Sequence, residues 1–156
     1  TPIPHLAYMF ATAIHEARHA QHRYDFYPIM ERGSYTYITK QYWYNTRVRG
    51  WLGNKSIDDA WNFRGRGLVQ ITGRTNYTRF GIENNPDAAL NPDLAVSIMF
   101  EGMNRGIFTG RKLMDYLNPE RKDYYNARRI INGTDKASLI ASYADVFETI
   151  IRKSVR

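Results

Sequence analysis

No cysteine occurs anywhere in the 156 residues, which excludes disulfides, thiolate metal sites and a cysteine nucleophile while leaving the compartment open. Also missing is any run of about 18 apolar residues, so no membrane span is expected, and the opening residues lack the basic and apolar regions of a signal peptide. A first residue of Thr1 fits a chain that starts inside a longer or processed protein. There is no internal repeat, linker, low-complexity tract or run of five basic residues. Helix-turn-helix, zinc-finger and RNP patterns are absent too, so nucleic acid is not the expected partner.

What remains is a chain of single-domain length, residues 1–156, large enough to bury about two-thirds of its unfolded surface. Its 22 Lys and Arg exceed its 15 Asp and Glu by seven, and a basic surface attracts polyanions, among them acidic cell-wall polymers. The cations are scattered, as at Arg47, Arg49, Lys55, Arg64, Arg66, Arg74, Arg79, Arg105, Arg111 and Lys112, which points to general steering. Twelve tyrosines and three tryptophans suit both core packing and a surface that stacks sugars or bases.

Periodicity predicts a mostly helical domain. A helix is expected from Pro4, in its first turn, to about Tyr24, with Leu6, Met9, Phe10, Ala13, Ala17 and Ala20 on one stripe and His15, His19 and His22 opposite. Glu16 falls at the stripe's margin, where partial burial raises a carboxyl pKa and makes it a usable general acid; the alternative is a solvated flank residue. A turn around Pro28 carries Glu31, and Ser34 is placed to cap a helix running toward Trp43. Residues 44–56 read as irregular, and Ser56 is placed to cap a short helix over 57–63. Gly81, Asn85-Pro86 and Asn91-Pro92 mark boundaries. Helices are expected at 93–105, 110–117, 124–131 and 136–153, the last with Leu139, Ile140, Tyr143, Val146, Phe147, Ile150 and Ile151 on one broad face.

Residues 64–77 read Arg-Gly-Arg-Gly-Leu-Val-Gln-Ile-Thr-Gly-Arg-Thr-Asn-Tyr. Glycines permit tight turning, and the apolar run between them alternates with polar groups. An extended conformation would put Leu68, Gln70 and Thr72 on one face and Val69 and Ile71 on the other. That arrangement lines a wall with an amide and a hydroxyl, or is simply a polar-out edge strand followed by a turn.

Two constellations carry chemistry, and Glu16 belongs to both. His15-Glu16-Ala17-Arg18-His19 spells H-E-x-x-H, a zinc pattern on a helix in which the Glu activates water, though no glycine-spaced third His follows. The second joins His15-Glu16, Pro28-Ile29-Met30-Glu31-Arg32-Gly33 and the run from Gly65 to Tyr77. In these residues the chain resembles glycoside hydrolase family 19, above all its phage and bacterial chitinase-like endolysins. Asn85-Pro86-Asp87, Phe108-Thr109-Gly110-Arg111-Lys112-Leu113 and Ile130-Ile131-Asn132-Gly133 extend the similarity over nearly the whole chain.

The resemblance implies a lysozyme-like, mainly α-helical fold with a cleft between two lobes and little or no β-structure. It implies inverting cleavage of β-1,4-linked amino sugars, with Glu16 as general acid, Glu31 as general base and Thr72 positioning water. Gln70, Asn76 and Asn132, with Arg66 and Tyr77, map to substrate binding. The chain lacks the cysteines and much of the loop structure of the plant members. Seven excess positive charges favour anionic peptidoglycan over neutral chitin. The reading is thus a monomeric peptidoglycan hydrolase needing no metal or cofactor, an endolysin acting from host cytoplasm to periplasm and wall, or a virion-associated or secreted lysin. A chitinase, a zinc hydrolase and an inactive glycan-binding module are the alternatives.

Overall fold

The computed structural model describes residues 1–17 and 26–155. The expected continuation of the first helix to Tyr24, and with it His19 and His22, lies outside the described residues. The fold is mainly α, and among the described residues the β-strands amount to two antiparallel pairs of two-residue strands. Contacts divide the chain into two compact units, one of Thr1–Phe26 with Met99–Arg156 and one of Tyr27–Ile98.

The first unit is built on α1 (Ile3–Glu16), which has Pro4 in its opening turn as the sequence predicts. Its burial is wider than one stripe, since Ala7, Tyr8, Ala11 and Thr12 are as buried as Met9 and Ala13. The reason is a neighbour on more than one side. α7 (Ala137–Ser154) packs along α1, His5 Nε2 donates to Leu117 O at 2.6 Å, and the Tyr8 ring stacks on Tyr124 at 5.9 Å. Alanines at 7, 11 and 13 let those neighbours approach closely.

Of the broad apolar face expected on α7, only part is buried. Ala137, Ile140, Ala144 and Glu148 are buried, a three-to-four-residue rhythm that matches one partner helix. Leu139, Val146 and Ile150 stay exposed, Val146 to 57%. The helices expected at 110–117 and 124–131 are also corrected. The first is a 3-10 turn, Leu113–Asp115, followed by a hairpin of β3 (Leu117–Asn118) and β4 (Arg121–Lys122); the second is a 3-10 segment, Asn126–Ile130. Short polar side chains take the amides that longer helices would have used. Asn118 Oδ1 accepts from the Glu120 and Arg121 amides at 3.0 and 2.9 Å, and Asp123 Oδ1 accepts from Asn126 N at 2.9 Å.

In the second unit, helices are short and firmly capped. Ser34 accepts from Tyr37 N and opens α2 (Tyr35–Thr39), which continues as a π turn over Lys40–Tyr44. Ser56 accepts from Asp59 N and opens α4 (Ile57–Asn62). Residues 44–56 are not irregular: α3 (Thr46–Leu52) begins at Asn45, whose Oδ1 accepts from Val48 N, and ends at Gly53 in the left-handed region. β1 (Ile29–Met30) pairs with β2 (Arg66–Gly67), Ile29 opposite Gly67. α5 (Arg74–Arg79) follows, then a 3-10 turn over Pro86–Leu90. α6 (Pro92–Arg105) starts at the expected Asn-Pro boundary and runs on into the first unit. No helix among the described residues is long and apolar enough to cross a membrane.

Candidate active site

The run from Gly65 to Gly73 is a tight turn, and the expected two-faced extended strand is corrected. Arg66 and Ile71 bridge through reciprocal backbone bonds of 3.2 and 3.0 Å. The four residues between them reverse the chain, with Gly67 at φ +88° and Gln70 at φ +51°. Once the chain folds back, alternation no longer sorts side chains, and Leu68, Val69 and Ile71 are all buried. Gly73, at φ +88°, also meets Leu52 so closely that a Cβ would lie 2.6 Å from Leu52 Cβ, a position open only to glycine.

Both ends of the turn are anchored. The Arg66 side chain is buried and donates to Asp87 Oδ1, Asn62 O, Arg64 O and Tyr77 Oη at 2.8 to 3.2 Å. Tyr77, fully buried, donates to Arg64 O at 2.7 Å. These two residues, expected at a substrate surface, have their donors aimed at the protein frame. At the far end, Arg74 grips Asp59 through Nε and Nη2 at 2.8 and 2.6 Å, and this bond holds the Asp59 carboxyl below its ordinary range.

Glu31 extends from β1 against this turn. Its amide donates to Gly65 O at 2.7 Å. Its half-buried carboxyl accepts from Gly65 N at 3.0 Å and from Tyr42 Oη at 2.8 and 3.0 Å. Both partners donate, which suits an ionised carboxylate. Gln70 Nε2 donates to Ile29 O and Gly67 O at 2.8 and 3.0 Å. A Cβ on Gly65 would lie 2.8 Å from Gln70 Oε1 and 3.1 Å from Glu31 Oε2, so glycine is what lets amide and carboxyl share this spot. Thr72 Oγ1 donates to Gln70 O at 3.0 Å, and Asn76 Nδ2 donates to Thr72 O at 3.0 Å. Glu31, Gln70, Thr72 and Asn76 thus belong to one bonded frame.

Glu16 and Asn132 lie in the first unit, and Arg128 joins them. Glu16 is the last residue of α1, with its side chain 18% exposed, in accord with the partial burial expected at the helix margin. Arg128 Nη1 donates to Glu16 Oε1 at 2.6 Å, while Nε donates to Asp135 O at 3.0 Å. The Arg128 carbonyl accepts from Asn132 N at 3.0 Å, leaving the Asn132 side chain exposed at the following turn. Beside Glu16, burial holds the His15 imidazole below its ordinary pKa, aided by Arg128 and opposed by Glu16, so at neutral pH it is uncharged.

Over a stretch of 49 residues the chain is 47% identical to a protein of Haemophilus influenzae named as containing a glycosyl hydrolase family 19 domain. The match covers 28% of this chain, which spans about a quarter, 24%, of that relative. No family model matches the chain. No solved structure matches it either.

Two residues that orient the candidate carboxyls, one in each unit, have no signal in the local sequence pattern. Arg128 sits 112 positions from Glu16, and no local pattern pairs them. Tyr42 falls within the helix expected to run toward Trp43, and its place in a π turn, a distortion frequent at functional sites, is what aims it at Glu31. The zinc pattern needs His19, which lies outside the described residues. Among the described residues no group of three His, Asp or Glu could hold a metal ion.

Proposed function

We propose that this chain is a peptidoglycan hydrolase, an endolysin or virion-associated lysin, that cleaves β-1,4 bonds between amino sugars with inversion. The observation that carries the reading is the pair of half-buried carboxyls, each oriented by donors of its own unit: Glu31 by Tyr42 and Gly65, Glu16 by Arg128. The family 19 name of the partial relative supports the same chemistry.

Inverting hydrolysis needs an ionised carboxylate to take a proton from water and a protonated carboxyl to give one to the leaving oxygen. Glu31 is the base. The Thr72 hydroxyl gives its own proton to Gln70 O, so it receives a hydrogen bond from the water, and the water's other proton goes to Glu31. The water oxygen then bonds to the anomeric carbon as the glycosidic bond breaks, and Glu16 protonates the departing oxygen. Arg128 faces Glu16 Oε1 and stabilises the carboxylate left behind. Gln70, Asn76 and Asn132 contribute the polar groups that hold the sugars, while Arg66 and Tyr77 keep the turn in shape.

The test is digestion of purified peptidoglycan followed by mass spectrometry and NMR. New reducing ends on MurNAc or GlcNAc, with the α-anomer formed first from a β-linked oligosaccharide, are expected. Freed peptide or amine ends would assign the protein to another class of hydrolase. A β-anomer formed first would remove Glu31 from the role of base, and cleavage of chitin alone would move the substrate to neutral glycans.

A further inference from the structure

Residues 32–57 contain five cations, Arg32, Lys40, Arg47, Arg49 and Lys55, and neither Asp nor Glu. In the fold this stretch forms α2, the π turn and α3, with the π turn packed on both helices. Each of two successive segments presents a cation and an aromatic ring four residues apart. On the π turn these are Lys40 and Tyr44; on α3 they are Arg47 and Trp51, and side chains at that spacing share a helical face. All four are exposed, the rings most conspicuously, Tyr44 to 67% and Trp51 to 63%. Large aromatic rings left this open beside exposed cations mark a place where something docks, with Asp58 of the neighbouring α4 held by Tyr35 Oη at 3.2 Å.

From this we infer that the outward face of the π turn and α3 is a binding surface for peptidoglycan strands bearing their stem-peptide carboxylates. Tyr44 and Trp51 stack on sugar faces while Lys40 and Arg47 pair with the carboxylates. The inference rests on the function proposed above and names the anionic form of the wall glycan as what this unit holds. Charge complementarity selects that occupant over neutral chitin, because the exposed cations Lys40 and Arg47 gain nothing from an uncharged polymer. The same segment reaches the candidate site. On the inward side of the π turn Tyr42 donates to Glu31, and Tyr42 O accepts from Asn54 Nδ2 at 3.2 Å just beyond α3. A strand held on the outer face is therefore held by the element that orients the base.

The experiment measures binding apart from hydrolysis. The Glu16→Gln chain is sedimented with intact sacculi, with sacculi stripped of stem peptides by an amidase, and with chitin, at low and high salt; a single-stranded oligonucleotide serves as competitor. Tight, salt-sensitive binding to intact sacculi is expected, weakened on stripped glycan. The Tyr44→Ala/Trp51→Ala pair should lower affinity roughly tenfold or more through lost stacking, and Lys40→Gln/Arg47→Gln should flatten the salt dependence, with circular dichroism confirming that both variants fold. Equal binding by parent and variants, or equal binding to intact and stripped sacculi, overturns the inference. So does displacement by the oligonucleotide at far lower concentration than the sacculi require, which would make the face a nucleic-acid surface. If the parent chain binds as expected but the unmutated protein releases no reducing ends, the surface stands and the hydrolase reading falls.

Discussion

At the scale of single residues, the candidate site depends on atoms that have one position to occupy. Glu16→Gln keeps the shape and the bond to Arg128 while removing the transferable proton, so turnover should fall by roughly 10²-fold or more with thermal unfolding little changed. EDTA should leave the rate of the unmutated protein untouched; loss of activity on chelation, restored by zinc, would hand Glu16 to the histidine pattern instead. Gly65 offers a sharper test, since its backbone φ is ordinary and its constraint is space alone. In Gly65→Ala the new methyl would press on Gln70 Oε1 and Glu31 Oε2, and displacing a base by even part of an ångström costs about ten- to a hundredfold. The expected signature is a fall in kcat with KM nearly constant and the fold intact. A variant as active as the parent would show that Glu31 and Gln70 need not meet at Gly65.

At the scale of elements, the β3–β4 hairpin is fastened to α7 by Glu148. Lys122 Nζ and Tyr124 Oη donate to Oε2 at 3.0 and 2.8 Å, and Arg152 donates twice to Oε1 at 2.9 and 2.7 Å. Burial alone would raise this carboxyl, but these donors outweigh it and hold it down at about 2. A carboxyl depressed in the folded state adds stability that is complete above its ordinary value near 4.5 and fades as pH falls toward 2. Water screens Lys122 and Arg152, both half-exposed, so Glu148→Gln should cost about 1 to 2 kcal/mol at pH 7 and almost nothing near pH 2. Denaturant titrations at the two pH values check this, and an equal deficit at both would exclude the ion pairs as its source. Elements differ in how far sequence revealed them. Ser34, Ser56 and Asn91-Pro92 announced their helices because a cap is a local bond between near neighbours. α3 went unread although Asn45 and Gly53 flank it, since Gly50 and the arginines broke the apolar period. The Gly65–Gly73 turn was read as extended because alternation in sequence does not disclose a left-handed Gln70. Arg128 could not be matched to Glu16 at all, for nothing local records a contact across 112 residues.

For the molecule as a whole, the excess of seven positive charges acts before any contact forms. Scattered cations create a diffuse field that raises the rate of encounter with a polyanion and leaves the chemistry at the bond unchanged. Salt separates the two effects, because raising ionic strength from 0.1 M to 1 M shortens the screening length from about 10 Å to about 3 Å. Lysis of whole walls should therefore slow markedly over that range, while cleavage of a short neutral oligosaccharide proceeds at nearly the same rate. The paired carboxyls argue for the same contrast, since Glu16 and Glu31 are held by donors at 2.6 to 3.0 Å, far inside any screening length. If both substrates lost activity in parallel, salt would be acting on the site itself, and the net charge would have no part in bringing the protein to the wall.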